Sequence, residues 1–403
     1  DNLPIADAGC ALCGQCITHC PVAALRERDD TDKVLEALHN PDTVTVVQVA
    51  PAVRAAWGEQ FGLPPEVATE KRLATILRHM GVEYVFDTNF AADLTIMEEG
   101  TEFIERFTHP GSAPMPMFTS CCPGWMRFVK TQAPELLGNI STCKSPQQMF
   151  GAITKTYFAE KMGIDPAKIC CVSIMPCVAK KDECTWPGMD SAGTGQDVDY
   201  VLTTRELARM IRAEAIDPSA MPESEYDSPL GEYTGAGVIF GATGGVMEAA
   251  LRTAVETLTG EELPKLEFHE VRGTAGIKEA TYHVADMDVK VAVASGLGNA
   301  RELLKKVKSG EADYHFIEIM GCPGGCVNGG GQPQQPGYIR NTVDIRGLRA
   351  KVLYDSDEAN TIRKSHENTA IKELYATYLG EPGSEKAHHL LHTSYVKRSI
   401  NQH

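Results

Sequence analysis

Apolar runs alternate with amphipathic segments along most of this chain, which is the pattern of an α/β protein. Short runs rich in β-branched and aromatic residues predict strands at about residues 44–49, 82–86, 116–120, 168–175, 289–294 and 314–320. Helical spacing predicts helices at about residues 70–80, 95–107, 123–130, 203–215, 246–258 and 299–308. Thr95 and Thr203, each followed three residues later by glutamate, place two helix starts as capping boxes. The glycine-rich residues 235–245 are expected to form a strand and a loop.

Three of the predicted strands deliver cysteine at their carboxyl ends. Open α/β sheets hold their ligands at the carboxyl ends of strands, so these thiols are expected to converge. The glycines at residues 329–331 let the backbone approach a bulky inorganic group. Four converging thiolates predict a 4Fe–4S site, and the four cysteines are Cys122, Cys177, Cys322 and Cys326.

Cys121 directly precedes Cys122, and adjacent side chains diverge too much to bind one metal centre easily. We therefore expect one thiol of this pair to be a ligand and the other to be free. The remaining inner thiols either lack ligand spacing or lie within a predicted strand, and they are predicted to stay unligated: Cys143, Cys170, Cys171 and Cys184.

A second cysteine motif, C-A-L-C-G-Q-C-I-T-H-C-P, occupies residues 10–21 and has the spacing of bacterial ferredoxins. Three closely spaced thiolates, Cys10, Cys13 and Cys16, wrap one 4Fe–4S cluster in such motifs, and the fourth usually serves another cluster. The chain has no second motif of this kind. The segment is either a one-cluster module that recruits Cys20 or, as we favour, half of a two-cluster module.

Composition narrows the choice of partners and compartment. The 403 residues are 43% apolar and 23% charged, which is ordinary for a globular protein. The net charge of −16 argues against nucleic acid or an anionic membrane as the main partner. No apolar run approaches the roughly 18 residues of a membrane span, and no signal peptide is evident. Thirteen clustered cysteines point to metal binding in a reducing compartment, so we expect a cytoplasmic protein.

The residues after about 336 are polar and helical, and they end in a histidine-rich stretch. His388 and His392 are four residues apart, a spacing that could place both on one metal ion. We favour an ordinary charged tail helix for this stretch.

Three motifs together resemble the signatures of the iron-only (FeFe) hydrogenases. They are T-S-C-C-P-G-W at 119–125, M-P-C-x-x-K-x-x-E at 175–183 and E-x-M-x-C-x-x-x-C-x-x-G-G-G-Q-P at 318–333. The resemblance implies two lobes, each a twisted, mostly parallel sheet flanked by helices, with the cofactor in the cleft between them. It divides the chain into a partial ferredoxin-like segment (1–40), a catalytic domain (41–336) and a C-terminal belt like the family's small subunit (337–403).

The resemblance also implies a cofactor, the H-cluster. This is a 4Fe–4S cubane joined to a di-iron unit that carries CO, cyanide and an azadithiolate bridge. The four inner cysteines would hold the cubane, with Cys326 bridging to the di-iron unit, and one accessory 4Fe–4S cluster would occupy the N-terminal segment. Lys180 matches the residue that pairs with a cyanide, and Ala52 stands where relatives can carry serine. The other matching pocket residues are Ala50, Pro51, Gln147, Met175, Phe240 and Met320.

A proton path is implied in the same way. Cys121 would be the free thiol that passes protons, and Glu102, Ser141 and Glu99 would lead outward to water. Helical spacing alone gives the two glutamates another reading, an ordinary solvated helix face. The resemblance overrides that reading.

The implied activity is reversible reduction of protons to dihydrogen, with electrons from a ferredoxin or flavodoxin and with maturation proteins building the di-iron unit. Two alternatives are a non-catalytic iron–sulfur carrier and a hydrogen-sensing relative. Neither needs the full set of free thiol, lysine and carboxylates, which this chain has.

Overall fold

The computed structural model describes residues 4–5, 8–284 and 287–398 and contains two four-stranded sheets. One sheet has the order β2-β1-β4-β5 and is parallel throughout. The other has the order β3-β8-β7-β6, in which only the β6–β7 pair is antiparallel. The strands are β1 Val44–Val49, β2 Tyr84–Asp87, β3 Met117–Phe118, β4 Ile169–Met175, β5 Tyr200–Thr203, β6 Ile277–Val284, β7 Met287–Ser295 and β8 Phe316–Met320.

Helices flank both sheets and bury their apolar faces in separate cores, which makes the fold a two-lobed α/β structure. The helices are α1 Gln15–His19, α2 Thr31–His39, α3 Glu70–His79, α4 Asn89–Thr108, α5 Pro123–Gln132, α6 Pro146–Ile153, α7 Ala159–Met162, α8 Lys180–Glu183, α9 Thr204–Ala213, α10 Gly235–Ile239, α11 Gly245–Thr259, α12 Leu297–Ser309, α13 Gly337–Thr342, α14 Ile345–Ala359, α15 Thr369–Leu374 and α16 Glu385–Leu391.

All six predicted strands are present, and the Thr203 capping box is confirmed because Thr203 and Glu206 exchange both hydrogen bonds. Strands β5 and β6 were missed. β5 is only four residues long, and β6 pairs only with β7 and alternates buried with exposed positions. No helix within the described residues has the length and apolar character that a bilayer span requires.

Two predictions were wrong. The stretch at 235–245 begins with helix α10 rather than a strand, because its small residues let it pack closely against Asn89 of α4. The Thr95 capping box is also wrong, since α4 begins six residues earlier. The Thr95 hydroxyl donates to the carbonyl of Ala91 at 2.8 Å, one turn back within the same helix.

The C-terminal segment lies across both lobes. Helix α14 packs on α10, and Asp357 at its end pairs with Arg252 of α11 at 2.8 Å. Helix α16 packs on α6 of the other lobe, and Thr393 beyond it donates its backbone N–H to the Thr142 carbonyl at 2.8 Å. The segment therefore ties the two lobes together on the side where helix α4 is buried.

Candidate active site

The carboxyl ends of strands from both sheets border one cavity. Twelve of the predicted site residues line it: Ala50, Pro51, Cys121, Cys122, Gln147, Met175, Cys177, Lys180, Phe240, Met320, Cys322 and Cys326. Ala52 lines it as well, with a methyl group that offers no hydrogen bond. The fold thus collects residues from nearly 280 positions of sequence into one cleft, as the strand-end pattern predicts.

Each cysteine is fixed by the element beside it. Cys122 is the N-cap of α5, whose first residue is Pro123, and its sulfur accepts the N–H of Gly321 at 3.2 Å. Cys177 follows the end of β4 by two residues, and Cys322 follows β8 by the same distance. Cys326 opens a short 3₁₀ turn. The inner cysteines are partly exposed only where they face the cavity, apart from the buried Cys322.

The donor set fits an iron–sulfur cluster. None of the cysteines forms a disulfide. Burial, followed by the charges of neighbouring thiols, raises the pKa of Cys177 and Cys322, so a cationic centre is needed to keep them as thiolates. Glycine brings the ligand loops close: a Cβ on Gly329 would lie 2.1 Å from the carbonyl oxygen of Pro176. Gly325 has φ of +92°, and its Cβ would lie 2.6 Å from the nitrogen of Thr243.

Lys180 lies at the cavity wall with its ammonium held in place. Its Nζ donates to the Cys121 carbonyl at 3.1 Å and to Glu183 Oε2 at 2.8 Å. Burial opposes the charge, but Glu183 and the nearby thiols outweigh it and raise the pKa of Lys180. Glu183 also accepts from Gln147 Nε2 at 3.1 Å. Sequence reasoning missed this role, although Glu183 stands in the same motif, three residues after the lysine.

The predicted proton-path residues lie behind Cys121, but their order was wrong. Glu99 is fully buried and neither oxygen makes a hydrogen bond of ordinary geometry, although Ser141 and the Ser120 backbone are near enough to lower its pKa somewhat. Burial, then repulsion from Glu102, raises the pKa of Glu99 to about 8. Its charge, after burial, raises the pKa of the Cys121 thiol.

Glu102 is the outer carboxylate, with 14% of its side chain exposed. It accepts from the Ser141 hydroxyl at 2.9 Å and from the Thr142 N–H at 3.0 Å, and it pairs with Arg106. The outward order is therefore Cys121, Glu99, Ser141, Glu102, rather than beginning at Glu102. Arg106, one helical turn further along α4, was not foreseen.

The N-terminal cysteines do not line the cavity, but they lie next to the loop that follows Cys326. Cys10 and Cys16 are exposed, and Cys13 is half-buried with its carbonyl oxygen against Gly330. Burial, followed by the charges of Cys122, Cys10 and Cys16, raises the pKa of Cys13, whereas hydrogen bonds from the backbone N–H groups of residues 22–25 lower the pKa of Cys20. This arrangement groups three thiols and sets the fourth aside.

The two histidines considered as a metal pair lie in different environments. His388 is exposed on α16, as expected for a tail helix. His392 is buried just beyond that helix and bonds to Glu98, so for this residue the tail-helix prediction was wrong. Glu98 of α4 is buried because the C-terminal segment covers its side of the helix.

Comparison with known proteins identifies the family. The family described as iron only hydrogenase large subunit, C-terminal domain, matches residues 43–330, and the iron hydrogenase small subunit family matches residues 343–398. A variant of [FeFe]-hydrogenase HydA1 from Chlamydomonas reinhardtii superposes with a TM-score of 0.81 at 45% identity, covering 92% of this chain and 99% of that one.

Two curated relatives are hydrogenases. The NADP-reducing hydrogenase subunit HndD of Solidesulfovibrio fructosivorans is 52% identical over 98% of this chain and 68% of its own length. Iron hydrogenase 1 of Clostridium pasteurianum is 49% identical over 94% of this chain and 65% of its own length. This chain thus spans about two thirds of each. Protein NAR1 of Arabidopsis thaliana is 33% identical over 96% of this chain and 84% of its own length. The chain belongs to the iron-only hydrogenase family.

Proposed function

We propose that this chain catalyses the reversible reduction of protons to dihydrogen, with electrons delivered by a ferredoxin or flavodoxin through the N-terminal segment. One observation carries the proposal. A free thiol at the cavity wall, Cys121, is continued by a buried carboxylate, a hydroxyl and a partly exposed carboxylate that reach the surface of the lobe.

We assign each group of cavity residues to one part of the H-cluster. Cys122, Cys177, Cys322 and Cys326 would hold the cubane, and maturation proteins would deliver the di-iron unit with its CO, cyanide and azadithiolate. When bound, this group would pass on the electrons and supply the iron at which dihydrogen is made or split. Lys180 offers its ammonium to an anionic ligand in a site with little water, where one charge-assisted hydrogen bond is strong.

The chain's own residues move the proton. The Cys121 thiol holds a proton at the cavity wall, and Glu99 takes it or returns it. With a pKa of about 8, Glu99 is mostly protonated at neutral pH but loses its proton at a small free-energy cost, which suits transfer in either direction. Ser141 links this inner carboxylate to Glu102, which is partly exposed to solvent.

The second candidate is an iron–sulfur carrier without hydrogenase activity. The similarity to NAR1 and to the cytosolic iron–sulfur assembly component 3 of Mus musculus, 30% identical over 96% of this chain, favours it. A carrier has no use for a buried, unbonded carboxylate next to a free thiol, since burying Glu99 has a cost that only a proton-transfer role explains.

The Cys121→Ala variant separates proton transfer from cofactor assembly. It should retain the infrared bands of CO and cyanide, because no cluster ligand is lost, and lose hydrogen production by at least about 10²-fold. Glu99→Gln should show the same pattern with a milder loss, because water can bridge part of the gap. Cys170→Ala, which removes a buried thiol from β4, is the control and should stay active. Loss of the bands in Cys121→Ala would make the thiol structural, and wild-type protein without such bands after co-expression with maturation proteins would favour the carrier.

A further inference from the structure

A sulfur, a ring nitrogen and a carboxylate oxygen meet where the C-terminal segment crosses α4. The sulfur of Cys143 lies 3.8 Å from Glu102 Oε2 and 3.9 Å from His392 Nδ1. Ligand atoms of all three residues lie within 4.8 Å of one another. We propose that these residues form an inhibitory binding site for a single divalent transition-metal ion of the zinc class, separate from the iron–sulfur sites.

His392 is oriented as a metal ligand. Its Nε2–H donates to Glu98 Oε2 at 2.9 Å, so Nδ1 keeps its lone pair and lies 3.9 Å from the Cys143 sulfur. Glu98 is itself fixed by the Tyr375 hydroxyl and by the Gly383 N–H at 2.9 Å. A carboxylate behind a ligating histidine is the usual support of zinc sites, where it sets the tautomer and the ring direction.

Glu102 presents its two oxygens to different neighbours. Oε1 pairs with Arg106, whereas Oε2 accepts from the Ser141 hydroxyl and faces the Cys143 sulfur. Oε2 also accepts from the Thr142 N–H at 3.0 Å. An ion bound at Oε2 therefore leaves the Arg106 ion pair intact, and it displaces the Ser141 hydroxyl and the Thr142 N–H, which also lies 3.2 Å from Oε1. The Thr142 hydroxyl lies 2.8 Å from His392 Nδ1, and it must rotate away when an ion binds to that nitrogen.

The spacing and the charges match the ion. A tetrahedral zinc with bonds of about 2.3 Å to sulfur and about 2.0–2.1 Å to nitrogen or oxygen separates its ligand atoms by about 3.5 Å. The observed 3.8 and 3.9 Å need only a contraction of a few tenths of an ångström. Cys143 is buried, and after burial the carboxylates of Glu102, Glu99 and Glu98 raise the pKa of its thiol. A cation bound here would neutralise the negative charges of the Cys143 thiolate and of the carboxylates.

A second group, Glu256, His366 and Glu367, meets the same distance criterion and serves as an internal contrast. Lys364 already places its ammonium 2.9 Å from Glu256 and 3.0 Å from Glu367, and the group contains no sulfur. A protein cation therefore neutralises this second group, so it is not proposed as a metal site.

The inhibitory effect rests on the proposed function, because Glu102 is the outer carboxylate of the proposed proton path. An ion on Oε2 takes the atom that accepts from Ser141. Bound zinc should then stop proton transfer while leaving the iron–sulfur ligands untouched.

Binding is measured first, without reference to activity. Anaerobic holoprotein is dialysed against limiting zinc, and bound zinc is counted by mass spectrometry. Wild type should retain one more equivalent than Cys143→Ala or His392→Gln, with a zinc K-edge spectrum of one sulfur and lighter ligands. Glu98→Gln should bind about 10–100-fold more weakly, as expected for loss of a supporting carboxylate. His366→Gln is the matched control and should bind like wild type. Equal zinc in wild type and in both ligand variants, or a spectrum of four sulfurs, overturns the site.

Inhibition is measured second. Zinc should suppress hydrogen production of wild type reversibly, with a chelator restoring the rate, and Cys143→Ala should resist it when each variant is compared with its own zinc-free rate. Binding without inhibition would keep the site and remove Glu102 from the proton path. Inhibition that is equal in Cys143→Ala and wild type would overturn the proposal that this site is inhibitory.

Discussion

Two sets of four cysteines lie side by side in this protein and are built in opposite ways. The N-terminal set occupies residues 10–20, around the short helix α1, and two of its four thiols are exposed. The inner set spans residues 122–326 and is assembled from strand ends of both sheets at a cavity. The first set is encoded by local spacing, whereas the second exists only because the chain folds.

The difference shows in the chemistry of the thiols. Backbone N–H groups at residues 22–25 lower the pKa of the partly exposed Cys20, because each stabilises the thiolate. Burial raises the pKa of Cys177 and Cys322. An exposed set of thiols can remain as thiolates when no metal is bound. A buried set needs a bound metal cation to stabilise its thiolates.

The two regions are in contact at several places, one of which lies beside Cys326. Gln15 Nε2 of α1 donates to the Asn328 carbonyl at 2.7 Å, and a Cβ on Gly330 would lie 2.0 Å from the Cys13 carbonyl oxygen. The N-terminal segment therefore rests on the loop that follows Cys326. This contact is one of the places where the protein links the two cysteine sets.

The largest expected effect comes from removing an inner ligand. Cys177→Ala or Cys322→Ala should abolish the cubane, because no other thiolate is placed to substitute for either one. Cys13→Ala is the matched comparison and should keep the CO and cyanide bands, since the inner set is intact. Iron content and visible absorption decide the matter. A full cubane in either inner variant would contradict the ligand assignment.

The N-terminal cluster itself is the next test. We expect any cluster on Cys10, Cys13 and Cys16 to be incomplete or labile in this chain, because three thiolates leave a 4Fe–4S cluster one ligand short. Iron counting on purified protein should fall short of two complete cubanes beside the di-iron pair. Two stable cubanes would show that Cys20 is recruited and that the one-cluster reading is right.

An intermediate effect is expected where the two regions touch. Gly330→Ala should displace the N-terminal segment, because the clash is with backbone atoms that cannot rotate away. Electron delivery from a reduced ferredoxin should slow, while activity with a small chemical reductant that reaches the inner site directly should persist. Gly298→Ala, in α12 with open space around its Cβ, is the control. Equal rates with ferredoxin in all three proteins would remove this contact from the electron route.

The smallest effect is a difference in thiol reactivity in metal-free protein. Cys20 should react with iodoacetamide at lower pH than an ordinary thiol, because its lowered pKa leaves more thiolate at a given pH. Cys121 should react only at high pH, since burial and Glu99 raise its pKa. Peptide mapping by mass spectrometry across pH resolves both. Modification of Cys121 before Cys20 near neutral pH would contradict the comparison.

The sequence by itself determined the strands that carry cysteine, the ferredoxin spacing at the N-terminus and the four inner cysteines, whereas the other residues at the cavity were implied by the family resemblance. An apolar run indicates a buried strand, and a cysteine that follows the run lies at the end of that strand. Buried strands and the thiols at their ends can therefore be predicted from local sequence. Thr203 and Glu206 set a helix start for the same reason, because every partner lies within one turn.

Tertiary structure alone decided which face of α4 meets which neighbour. Helices α6, α10 and α11 and the C-terminal segment surround α4, so glutamates are buried on more than one side of this helix. Helical spacing therefore cannot tell which glutamate is the most deeply buried. Glu99 became the inner carboxylate and Glu102 the outer one through packing against Ser141 and Arg106. The contact of His392 with Glu98 joins residues 294 positions apart, and no local pattern encodes a distance of that kind.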